Sequence, residues 1–90
     1  MIEIVEVYKK NNAFSIRERL VNPDFVVDIK PCNASKQRLI KENLREILHP
    51  EHNLSQLTIN KGGVSEEIIV IKSISVLREL FQKTNQVLLG

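Results

Sequence analysis

The chain has no Trp, one Tyr and three Phe, so its core must be assembled from Ile, Leu and Val rather than around large rings. β-Branched residues pack well on a pleated surface, and their clusters mark strands. The one cysteine, Cys32, excludes an internal disulfide and a cysteine-rich zinc site together. A reducing compartment fits that usage. No apolar run is longer than Ile68 to Ile71, far short of what a bilayer-spanning helix requires. Met1 leads directly into Glu3 and Glu6 within an alternating pattern, unlike the basic start and apolar core of a signal peptide. Neither sign of charge dominates: 13 Lys and Arg stand against 11 Asp and Glu, a net charge of +2. A balance this even gives no whole-molecule attraction to nucleic acid or to an anionic membrane, so such a partner needs a local patch. These exclusions describe a cytoplasmic protein with no membrane span.

What is present suffices for one domain. Ninety residues that are 42% hydrophobic and 27% charged have the composition of a globular chain, too short for a second core. Eleven Ile, eight Lys and eight Asn have A- and T-rich codons, which points to a low-GC bacterium or its phage. A domain this small buries only about 60 to 65% of its unfolded surface, so dimerisation or partner binding would add to a thin margin.

Apolar residues alternate loosely with Glu3 and Glu6 from Ile2 to Tyr8, and the alternation resumes from Phe14 to Val21 after the turn residues Lys9 to Asn12. This predicts a hairpin. Asn22 and Pro23 interrupt it, and a third strand follows in which Phe25, Val27 and Ile29 face one way and Val26, Asp28 and Lys30 the other. The period then changes. Asn33 or Ser35 caps a helix over residues 35–48 whose Ile40, Leu44, Ile47 and Leu48 form a buried stripe, with Pro50 ending it. Leu57 and Ile59 open a fourth strand, Asn60 to Gly63 supply a turn, and Ile68 to Lys72 make a fifth. Ser73 caps a last helix with Leu77, Leu80 and Phe81 on one face. The predicted fold class is α+β, in the order βββαββα: a small, mostly antiparallel sheet of about five strands, with the two helices covering one face. Residues 1–84 form the domain, and residues 85–90 are an extended apolar tail.

The segments Val21 to Ile29, Leu57 to Gly62 and Ile69 to Leu77 resemble the small flagellar motility proteins of the FlbD/SwrD type. The likeness covers about a third of the chain and lies in an Asn-Pro strand entry, a strand with a turn glycine and a Ser entry into the final helix. It implies a shared layout. Residues 8–12 and the helix at 35–48 depart from that pattern, and no functional residue is carried over.

Catalytic constellations are weak. His49 and His52 are ligand types for zinc or nickel, but Pro50 between them prevents the helical spacing that would aim both rings at one point. Cys32 has no base beside it in sequence, and the pairs Glu42/Glu46 and Glu66/Glu67 suggest solvated surface rather than a cleft. Gly62 and Gly63 lack the Lys and Ser or Thr of a phosphate loop. No enzymatic activity, cofactor or metal is expected. The basic residues say more: Arg38, Lys41 and Arg45 fall on one side of the first helix, and Arg17 and Arg19 share a face of the second strand. If those faces adjoin, they could track a phosphate backbone. Val87, Leu88 and Leu89 are candidates for self-association, adding the tail to a sheet edge of a second copy as a homodimer. The expectation is a small regulatory binding module acting through protein contacts, with a nucleic-acid-binding regulator as the alternative.

Overall fold

Two tight turns fix the pairing of the sheet. Asn11 and Asn12 both have positive φ, 54° and 65°, and Gly62 and Gly63 have 56° and 85°. Two-residue hairpin loops need this left-handed backbone at both centres, and Asn and Gly reach it at least cost. The first turn joins β1 (Ile2–Lys10) to β2 (Ala13–Val21), and the second joins β4 (Ser55–Lys61) to β5 (Val64–Val70). Between the hairpins lie a 3-10 turn at Pro23–Phe25, β3 (Val26–Pro31) and α1 (Ala34–Asn43), and α2 (Ile74–Leu89) follows β5. This computed structural model describes the backbone of residues 1–49 and 51–89, and side chains as far as residue 82 except at residue 50. A β-branched residue in the left-handed region is disfavoured by about 1–2 kcal/mol, so Asn12→Val should lower the melting temperature while Asn12→Gly should not. A thermal melt of each variant checks this.

The architecture is α+β, as the pattern predicts: five antiparallel strands in the order β2-β1-β5-β4-β3, with two helices. β5 is central, and its Ile68, Ile69 and Val70 are all buried because both faces of the sheet are covered. Ile68 and Val70 join Ile2, Ile4, Val21, Leu57 and Ile59 beneath Leu77 and Phe81 of α2. Ile69 joins Val7, Cys32, Leu54 and the α1 side, where Ile40, Leu44 and Leu48 pack. Successive side chains on a strand point to opposite faces, so the helices cover opposite faces, not one face as expected.

Four further expectations are corrected. β3 carries an irregularity in register between Val26 and Asp28. The shift turns Val26 and Ile29 onto the α2-side core and leaves Val27 62% exposed, whereas Phe25 belongs to the preceding 3-10 turn. The first helix starts one residue early, with Asn33 as its cap, and ends at Asn43; Leu44 and Leu48 stay buried through a following turn, but Ile47 is 53% exposed. The second hairpin turn is only Gly62 and Gly63, so β5 begins at Val64. Residues 85–89 continue α2 as helix, leaving no extended tail there.

The two edge strands are joined by only four residues, three of them in the compact 3-10 turn. A flat five-stranded sheet would hold those edges about 19 Å apart. The link therefore bends the sheet around the α2-side core at the end where Val21 and Val26 lie. Asn22 stabilises this crossing by accepting the Asp24 N–H on its side-chain oxygen at 3.0 Å.

Candidate interaction surfaces

α1 is held in place at both ends of its first turns. Asn33 Oδ1 accepts from Ser35 N at 2.9 Å, satisfying a donor that the first helical turn leaves open. Gln37 Oε1 accepts from Leu54 N at 2.9 Å and ties the helix to the approach of β4. With Ile40 and Leu44 turned to the sheet, Arg38, Lys41 and Arg45 stand along one flank. They line an open depression of about 700 Å³ together with Ala34, Gln37, Glu42 and Leu48. The three predicted cations are therefore brought together over a partly apolar floor. Among the described residues, Arg38 and Arg45 enter no ion pair.

Arg17 and Arg19 do not extend this stripe. The hairpin register places Arg17 opposite Glu6 and Arg19 opposite Ile4, on the α2 face of the sheet and not the α1 face. Both are engaged there. Arg17 Nε donates to Glu6 Oε1 at 2.9 Å, and its guanidinium lies 4.3 Å from the centre of the Tyr8 ring. Arg19 donates to Glu6 at 3.3 Å and grips Glu66 with two bonds of 2.8 and 3.1 Å. The bonds to Glu66 raise the Arg19 pKa and hold the Glu66 carboxyl below its ordinary range. Five cations tracking one backbone is therefore a geometry the fold does not provide.

Cys32 is buried in the α1-side core, and burial pushes its thiol pKa up, the opposite of what a thiolate nucleophile needs. His49 N–H donates to His52 Nδ1 at 3.2 Å, so that nitrogen is occupied within the loop. Among the described residues no group of three or more His, Cys, Asp and Glu could hold a metal ion, and no helix is long and apolar enough to cross a membrane. The side chains of Val87, Leu88 and Leu89, the expected self-association residues, lie outside the described set.

Sequence reasoning missed Glu6 and Glu66 as partners of the strand arginines. The first was readable: a two-residue turn at Asn11 and Asn12 forces residue 6 opposite residue 17. It also missed a second groove, where Val26 to Ile29 of the edge strand β3 face Ile74, Arg78 and Phe81 of α2. The four- and three-residue spacing of those helical positions was the available signal. No protein-family model, curated protein or solved structure matches this chain.

Proposed function

We propose that this protein is a small non-enzymatic binding module, a cytoplasmic regulator of bacterial or phage origin, that acts by docking an acidic protein segment on the flank of α1. The observation that carries this reading is the placement of Arg38, Lys41 and Arg45 around a depression floored by Ala34 and Leu48. An amphipathic acidic segment satisfies both features at once, with carboxylates against the cations and aliphatic side chains against the floor. Nucleic acid is the weaker occupant. Glu42 lines the same depression, its described lining has no aromatic side chain for base stacking, and Arg17 and Arg19 lie on the other face of the sheet.

The test compares a Glu- and Leu-rich helical peptide with a single-stranded oligonucleotide, by fluorescence anisotropy at about 50 mM salt, where charge contacts are strongest. Replacing Arg38, Lys41 and Arg45 together by Ala should weaken the peptide at least tenfold, an effect of about 1.4 kcal/mol. Peptide affinity unchanged in the triple variant refutes the reading. Oligonucleotide binding whose salt slope drops by about three counterions in that variant replaces it with the nucleic-acid alternative.

A further inference from the structure

The groove between β3 and α2 has the construction of a strand-addition site. β3 is an edge strand, paired to β4 alone. Four consecutive residues, Val26 to Ile29, line the groove of about 330 Å³, so its wall is the edge of the strand rather than one side-chain face. Cys32 N donates to Leu54 O at 3.1 Å, and β3 pairs with β4 in continuous register from Asp28 to Pro31. Hydrogen-bonding direction alternates along an antiparallel ladder, so Lys30 and Asp28 turn their backbone groups to β4, while Ile29 and Pro31 turn theirs outward. Pro31, which has no N–H, occupies an outward position, where the missing donor costs the sheet nothing. Ile29 has a donor and an acceptor there.

The opposite wall supplies side-chain recognition. Ile74, Arg78 and Phe81 follow one another along α2 toward the groove, and Val26 and Ile29 belong to the apolar layer beneath. Asp28 pairs across to Thr58, on the face away from α2, so Arg78 is the charged side chain on the helix side among the described lining residues. Arg78 enters no ion pair among the described residues. An exposed cation beside a groove of mixed polar and apolar lining, next to an open strand edge, complements an extended chain that alternates apolar residues and carries a carboxylate.

We propose that the β3–α2 groove binds an extended peptide segment as a sixth strand on β3, with apolar side chains against Val26, Ile29 and Phe81 and a carboxylate held by Arg78. This site is separate from the α1 flank and stands or falls independently of it.

The experiment uses acetylated, amidated hexapeptides of alternating Val and Thr that end in Glu, Gln or Lys, titrated into the ¹⁵N-labelled full chain. At up to about 1 mM the Glu peptide should shift amides of residues 26–30 and 74–81, and bind roughly tenfold tighter than the Gln peptide. The exposed substitution Arg78→Glu should reverse the ranking in favour of the Lys peptide, with the melting temperature confirming that the variant is folded. N-methylating alternate residues of the Glu peptide should abolish binding, since main-chain bonds are the common element of strand addition. The proposal is overturned if no peptide shifts those amides, if Arg78→Glu leaves the ranking unchanged, or if the methylated peptide binds equally well. Concentration-dependent shifts of the same amides without peptide would assign the groove to a second copy and would also overturn it.

Discussion

Leu77→Ala is expected to remove about 2–5 kcal/mol of unfolding free energy, a large part of the 5–15 kcal/mol that holds a typical domain together. Leu77 is 0% exposed, and with Phe81 it is how α2 meets Ile68, Val70, Leu57 and Ile59 of the sheet. Truncation removes three carbons from a layer that cannot collapse fully, because the sheet beneath is fixed by its ladder. Ile40→Ala on α1 should cost a similar amount, since Ile40 is also 0% exposed but sits in the other cluster. The two losses should add within about 0.5 kcal/mol, because the residues lie on opposite sides of the sheet and share no partner. Urea unfolding of both single variants and the double variant measures this through the midpoint, with an unchanged m-value. A loss below about 1 kcal/mol for Leu77→Ala would show that α2 does not cover the sheet.

Arg19→Met should be the costliest substitution among the charged residues, at about 1–3 kcal/mol. Arg19 serves two carboxylates: it is one of two donors to Glu6, whose side chain is only 5% exposed, and it holds Glu66 of β5. β1 and β5 pair directly at only two positions, Glu6 with Val70 and Val7 with Ile69, so this ion cluster reinforces the narrowest seam of the sheet. Replacing Glu6 and Arg19 together, by Leu and Met, should recover much of the loss because no buried carboxylate is then left short of a donor. A double-mutant cycle reads the coupling directly, and simple additivity would remove the cluster from the account of stability. The pH dependence has a definite sign. Arg19 lowers the Glu66 pKa in the folded state, so the stabilisation is fully present above the unfolded carboxylate range near pH 4 and is lost as pH falls through the lower folded value. Glu66 is about half exposed, so this component amounts to only a few tenths of a kcal/mol. The deficit of Arg19→Met should therefore shrink slightly in acid.

Local chemistry alone determined the elements and their order. The Asn and Gly pairs demand left-handed turns, the alternation of Ile, Val and Glu demands strands, and Ile40, Leu44 and Leu48 demand a helical stripe; each is a relation between residues a few positions apart. The same short-range logic placed Arg38, Lys41 and Arg45 on one flank of α1, where they are found. The boundaries failed where a tertiary constraint outweighed pattern. A register irregularity reversed the inward and outward residues at the start of β3, the helical backbone ended before Ile47, and the helix of residues 74–89 outran its visible apolar stripe. Strand order decided the rest. Because β5 inserts between β1 and β4, its buried run faces both ways and the helices must take opposite sides, which separates Arg17 and Arg19 from the α1 cations and gives them Glu6 and Glu66 instead. The same order leaves β3 at an edge beside Arg78. The chain pattern specifies which faces are apolar, but long-range pairing depends on how those faces are buried together, and that is a property of the whole sheet rather than of any segment.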